Sequence, residues 1–196
     1  MIKPALQDEE FLADVRNAAI LQEDLHIWWL GQSSFLVQWR GKHLLFDPYL
    51  SDSLSHKYAT TDKPHTRMTG LVISPDSLDF IDLTTSSHNH TDHLDGETLS
   101  ALMRVNPEMQ ILVPAANRTF AADRLGVAPD QLEAIDAGQS ITREYMVFVT
   151  AVPANYAGVH RLDVGDNKDE LVLWEQAPGK RRIRVPIDLP DGSAGQ

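Results

Sequence analysis

Apolar positions first recur at helical spacing. Leu6, Leu12, Val15, Ala19 and Leu21 predict a helix over residues 5–22, with Asp8, Glu9 and Glu10 in its opening turns, where the helix dipole favours acids. Three strands are predicted next: Leu25 to Leu30, Phe35 to Trp39 and His43 to Phe46. Arg40-Gly41-Lys42 makes a hairpin turn between the last two, and Asp47-Pro48 breaks the third. Residues 49–70 are polar and without usable period, so they read as a long loop of the functional or mobile kind.

Beyond the loop the pattern alternates. Ile81 to Thr85 is short and β-branched, a buried strand, and Leu94 to Val105 returns to helical spacing. Ile111 to Val113 predicts another buried strand, and Ala115 to Leu125 a helix stopped by Gly126. Ala134-Ile135 is a weak strand and Tyr145 to Val152 a strong one. Consecutive strands followed by strand–helix alternation imply an α/β or α+β fold with some parallel pairing. From Gln176 onward, Pro178, Pro186 and Pro190 exclude regular structure, and Lys180, Arg181, Arg182 and Arg184 cluster their charge, so residues 176–196 read as a solvated tail behind a domain of residues 1–175.

Composition narrows the classes. Seventeen Lys and Arg stand against 28 Asp and Glu, a net charge of -11, which disfavours nucleic acid as a partner. No cysteine is present, so a metal would have to be held by histidine and carboxylate. No apolar run approaches the roughly 20 residues that span a bilayer, and Asp8, Glu9 and Glu10 spoil any leader-like segment. The expectation is a soluble cytoplasmic protein with no membrane partner.

One segment carries chemistry. Three of the eight histidines lie within six residues, in Ser87-His88-Asn89-His90-Thr91-Asp92-His93-Leu94-Asp95. Shuffling the chain would produce His-x-His-x-Asp-His about once in a thousand trials, so chance placement is a poor account of it. The segment begins where the Ile81–Thr85 strand ends, and the carboxyl ends of such strands are where α/β folds bind ligands. In an extended loop His88 and His90 point the same way and can converge on one metal. Asp92 and His93, out of phase and around a turn, suit a second. Imidazole with carboxylate favours Zn, Mn or Fe over Mg or Ca.

With its surroundings the motif resembles the metallo-β-lactamase superfamily, and within it the lactonases similar to L-ascorbate-6-phosphate lactonase. Ile27-Trp28-Trp29-Leu30-Gly31 and Ser33-Ser34-Phe35-Leu36-Val37 look like the family's opening hairpin, and Leu45-Phe46-Asp47-Pro48 like its first conserved Asp. Ile81-Asp82 matches the strand leading into the metal loop, and Val149-Thr150-Ala151-Val152-Pro153-Ala154 the strand before the next ligand. The resemblance covers about residues 24–168. It implies an αββα sandwich with a two-zinc site at one edge, Mn or Fe being alternatives. His88 and His90 would hold the first metal and Asp92 and His93 the second, with Asp92 also the catalytic residue beside the attacking water. Asp47 would either brace the ligand loop or simply end its strand.

The implied activity is hydrolysis of an ester or lactone, such as a sugar-phosphate lactone, by a metal-bound hydroxide. The same wording resembles the phospholipase D branch, which makes a phosphodiesterase the alternative; a non-catalytic metal-binding module is a third reading. Three further ligands of the family have no counterpart in place. Asn155-Tyr156-Ala157 stands where a histidine is expected, with His160 a few residues late; no bridging Asp follows, and no histidine occurs after His160. The pattern suggests a chain lacking the C-terminal half, or one completed by a partner, with a homo-oligomer as one form. His26, His43, His56 and His65 read as surface or structural residues, and Trp28, Trp29 and Trp39 as core. Lys57, Lys63, His65 and Arg67 lie in a solvated loop that could also meet an anionic small-molecule substrate. Ser33-Ser34 lacks the context of a serine nucleophile.

Overall fold

A computed structural model describes residues 1–142, 147–152, 159–164 and 170–173, the last three ranges as backbone strands. The chain divides into two compact units, residues 1–134 and 135–196. Its six-stranded sheet runs in the order β1 (His26–Gly31), β2 (Ser34–Trp39), β3 (Lys42–Phe46), β4 (Leu83–Thr85), β5 (Gln110–Pro114) and β6 (Glu133–Ile135). The first three strands pair antiparallel; β3–β4 and β4–β5 pair parallel. Among the described residues four α-helices accompany them: α1 (Asp8–Ala18), α2 (Ser53–Tyr58), α3 (Gly96–Val105) and α4 (Arg118–Leu125).

The mixed α/β class, with some parallel strands, is the one expected. The β2–β3 hairpin closes on Arg40 (φ 46) and Gly41 (φ 75), the paired positive angles of a tight turn that follows the strand twist. On the helix-facing side, Leu30, Leu36 and Leu45 pack with Phe11 and Val15 of α1, Leu99 and Leu102 of α3, and Ala121 and Ala122 of α4. Each fully buried leucine there contributes roughly 2 kcal/mol. The alternate residues Val37, Leu44, Phe46, Leu83 and Leu112 are also buried, so the sheet is apolar on both faces, as parallel strands require.

Several elements differ from the sequence reading. The first helix spans 8–18 rather than 5–22, because its predicted first turn pairs elsewhere. Ile2 N–H donates to Met68 O at 2.7 Å, Gly70 N–H to Ile2 O at 2.9 Å, and Asp8 N–H to Val72 O at 2.9 Å. At the other end Leu21 is exposed, so its apolar spacing marks no buried face. The helix predicted from Leu94 starts at Gly96, since Asp95 serves as its N-cap. That predicted over 115–125 opens with a single 3-10 turn, Ala115–Asn117, before α4, and ends at Gly126 (φ 68) as read.

The 49–70 loop contains α2, too short to show a period. Arg67, read as solvated, is buried: its guanidinium donates to Tyr49 O at 2.8 Å and Ser51 O at 2.9 Å and lies 4.5 Å over the Tyr49 ring. Trp29, read as core, is 53% exposed, on the outward side of edge strand β1, while Trp28 on the other side meets Phe11 edge-on.

The second unit is described as a four-stranded antiparallel sheet in the order β10 (Glu170–Leu173), β9 (Val159–Val164), β8 (Val147–Val152) and β7 (Ser140–Thr142). Only β8 was anticipated. The backbone of His160 lies in β9 opposite Ala151, not in a loop. Asn155, Tyr156 and Ala157, and the whole of residues 176–196, fall outside the described residues. Among the described residues no helix is long and apolar enough to cross a membrane.

Candidate metal centre

The parallel strands carry the site. Register pairs Phe46 of β3 with Thr85 of β4, so both strands end side by side and release Asp47 and Ser86–Ser87 at the same edge. Asp47 takes a left-handed backbone (φ 44), turning its carboxylate back toward the loop after β4. Two contacts hold that turn: Ser34 Oγ donates to Asp47 O at 3.1 Å, and Tyr49 N–H donates to Ser34 Oγ at 2.8 Å.

The Asp47 carboxylate is buried and fully engaged. Oδ1 accepts from Ser87 N–H at 2.8 Å and Thr85 Oγ1 at 3.1 Å. Oδ2 accepts from the Ser87 hydroxyl and faces His93 Nδ1 at 2.7 Å. A carboxylate beside Nδ1 fixes the proton there and leaves Nε2 as the free donor atom of His93, which is how metal-binding imidazoles are oriented. Asp47 therefore braces the loop and does more than end its strand.

The three histidines are close neighbours. The His88 ring lies 4.0 Å from that of His93 and 4.5 Å from that of His90, centre to centre. Asp92 Oδ2 is 3.8 Å from His93 Nε2 and accepts from Gln32 Nε2 at 3.4 Å. Ser33, in the β1–β2 turn, sets its hydroxyl 3.5 Å from Asp92 O and 3.3 Å from His93 Nδ1. Ser87 Oγ lies 3.1 Å from His88 Nδ1. The loop is turned by its own backbone: His93 and Leu94 N–H both donate to His90 O, at 3.1 and 2.7 Å.

Electrostatics separate the histidines. His88 is pushed down to about 4, by burial first and then by the neighbouring His93 and His90, against the pull of Asp47 and Asp92. It is thus neutral at ordinary pH, the form that ligates metal. For His93, burial acts downward, but the hydrogen bond and charge of Asp47, with the charge of Asp92, outweigh it and raise its pKa.

In kind, these donors fit a divalent transition metal: three imidazoles, that of His88 held neutral, a carboxylate beside one of them, and a buried acceptor behind. Among the described residues no three His, Asp or Glu side chains are grouped to hold an ion by themselves. The two pairs singled out in the sequence, His88 with His90 and Asp92 with His93, are brought to one loop face; the side chain of His160 is not among those described. Sequence reasoning missed Gln32, Ser33 and Ser87 as supports. It also missed the N-cap role of Asp95, which an Asp three residues before Thr98 signals.

Comparison with known proteins is consistent with this geometry. A family model described as "Beta-lactamase superfamily domain" matches residues 26–176. An N-acyl-phosphatidylethanolamine-hydrolyzing phospholipase D 1 of Caenorhabditis elegans is 22% identical over 174 residues, 85% of this chain and 47% of that protein. A metal-dependent hydrolase of Caldivirga maquilingensis is 29% identical over 140 residues, 71% of this chain and 52% of its own. The match thus spans about half the length of each of these two relatives. Among solved structures, one described as a possible metal-dependent hydrolase from Veillonella parvula superposes with a TM-score of 0.52 at 15% identity, covering 75% of this chain and 59% of that one. CmlA, a diiron beta-hydroxylase from Streptomyces venezuelae, does so with a TM-score of 0.51 at 20% identity, covering 73% and 28%. At these identities the structural likeness speaks to fold.

Proposed function

Since this chain belongs to the beta-lactamase superfamily domain family, with its model matched over residues 26–176, we propose that it acts as a metal-dependent hydrolase. The observation that carries the reading is the Asp47–His93 pair at 2.7 Å, a buried carboxylate orienting an imidazole beside two more imidazoles and Asp92. His88 and His90 would hold one ion, and Asp92 and His93 a second, with zinc the first choice and iron or manganese the others. When bound, such a pair would supply acidified water and stabilise the negative charge that develops on the oxygen of the carbonyl or phosphoryl group under attack.

The chain's own residues do the rest. Asp47 keeps the His93 proton on Nδ1. Ser87 couples His88 and His93 to the same carboxylate. Gln32 and Ser33 hold Asp92 at the mouth of the loop, where its carboxylate can accept a proton from the attacking water and align it. The substrate is a small anionic ester, and a sugar-phosphate lactone of the L-ascorbate-6-phosphate kind is our first candidate. A phosphodiester is the second reading, and the likeness to an N-acyl-phosphatidylethanolamine-hydrolyzing phospholipase D favours it.

Metal content of the purified chain, beside a His88→Ala/His90→Ala variant, tests the reading. Near-stoichiometric zinc, iron or manganese that the variant loses is expected, followed by turnover of either a lactone or a phosphodiester. Metal no higher than in the variant would leave a non-catalytic module.

A further inference from the structure

We infer that Arg124 of α4 is a positioning residue for the turn that carries His90, Asp92 and His93. The inference rests on the metal-dependent reading above. The turn closes by spending one carbonyl twice, since His93 and Leu94 N–H both donate to His90 O. That leaves the carbonyls on its two flanks, those of Asn89 and Leu94, without a partner inside the turn. Arg124 Nη1 donates to both, at 2.9 Å to Asn89 O and 3.0 Å to Leu94 O. A single nitrogen thereby spans the turn from outside the motif.

The donor is itself held. Its neighbours Ala121, Ala122 and Leu125 are buried in the core, so α4 cannot easily shift. The guanidinium lies 4.6 Å over the Phe120 ring. The aliphatic stem runs beside the start of α3, close enough that a Cβ on Gly96 would meet Arg124 Cγ at 3.6 Å, ordinary contact. The segment from Asn89 to Leu94 is therefore clamped between a buried strand end, through Asp47, and a buried helix, through Arg124.

The sign of the effect separates positioning from simple charge. A guanidinium close to cation ligands repels a divalent ion, so if charge alone mattered, removing it would tighten metal binding. If Arg124 positions the turn, removing it loosens binding. The experiment compares Zn2+ affinity, by competition with a chromophoric chelator, for the full chain and for Arg124→Ala, Arg124→Lys and Arg118→Ala. Arg118 sits on the same helix but donates to Pro129 O, so it controls for loosening of α4. Amide hydrogen exchange at His93 and Leu94 is followed in parallel.

Arg124→Ala is expected to lose about tenfold or more in Zn2+ affinity, the usual scale for a group supporting the ligands. It should also speed exchange at His93 and Leu94. Arg124→Lys, whose one nitrogen carries three donors, should recover most of both, and Arg118→Ala should change neither. Affinity in Arg124→Ala equal to or tighter than wild type overturns the inference, as does unchanged exchange at those two amides. Should the wild-type chain bind no Zn2+, the metal-dependent reading fails, and the exchange rates alone decide whether Arg124 holds the turn.

Discussion

Asp47 and His93 stand 46 residues apart in the chain, yet the carboxylate Oδ2 of one lies 2.7 Å from the Nδ1 of the other. The contact joins the end of β3 to the loop after β4, and parallel register between those strands makes it possible. It gives the histidine an orientation before any ligand is present, and it settles Asp47 in a left-handed backbone that an aspartate tolerates better than most residues.

Replacing Asp47 by Ala should therefore do two things. It leaves Ser87 N–H, Thr85 Oγ1 and His93 Nδ1 without their buried acceptor, at a cost of about 2–3 kcal/mol in unfolding free energy. It should also weaken metal binding about 10–100-fold, although Asp47 is no ligand. Urea unfolding of the metal-free chain and chelator competition read the two effects. A variant that matches wild type in both would show that the carboxylate braces nothing.

Asp95 performs a comparable task for the other end of the loop. It is fully buried and accepts from Ser51 Oγ at 2.6 Å, Ser53 Oγ at 2.9 Å and Thr98 N–H at 3.3 Å, so it caps α3 and anchors the start of α2 together. Asp95→Ala is expected to destabilise by about 1–3 kcal/mol, and Asp95→Asn by less, because an amide oxygen still caps the helix. Chemical denaturation decides, and equal losses for the two variants would count against the capping account.

Gly31 tests the hairpin that presents Gln32 and Ser33. Its φ of 94 disfavours any side chain, and a Cβ there would come within 2.6 Å of Thr69 Oγ1. Gly31→Ala should cost about 1–3 kcal/mol. Pairing it with Thr69→Ala should recover the part due to the clash but not the part due to φ. A thermal midpoint unmoved by Gly31→Ala would refute both terms.

His43 offers a pH-dependent test away from the metal loop. Burial first, then Lys42, lowers its pKa, with Asp82 opposing, and its ring lies 4.7 Å from that of Phe80. The folded chain thus binds fewer protons at His43 than the unfolded chain does. Its contribution is intact above the unfolded value of 6.5 and is lost as pH falls from there through the folded pKa. Compared with wild type, His43→Gln should lose less stability on acidification below pH 6.5. Parallel stability curves for the two chains would contradict the assignment.

The hydrophobic pattern by itself determined the strands His26–Gly31, Ser34–Trp39 and Lys42–Phe46, the hairpin at Arg40-Gly41, and the existence of α1, α3 and α4. Each of these is specified by period and turn chemistry within a few residues. The spacing of His88, His90, Asp92 and His93 likewise announced a loop of metal-donor residues. Tertiary structure decided what depends on distant partners. Residues 1–7 pair with 68–72 instead of extending a helix. Arg67 turns inward because the Tyr49 and Ser51 carbonyls need a donor. Trp29 is exposed because it lies on the side of edge strand β1 that faces away from Phe11 and α1. Asp47, Ser33, Gln32 and Arg124 reach the histidine loop from three separate segments. The bracing role of Asp47 was offered by the family resemblance; those of Ser33, Gln32 and Arg124 were not legible in order along the chain, because a hydrogen bond between remote residues leaves no periodic mark in the sequence, and only tertiary packing brings the partners within reach.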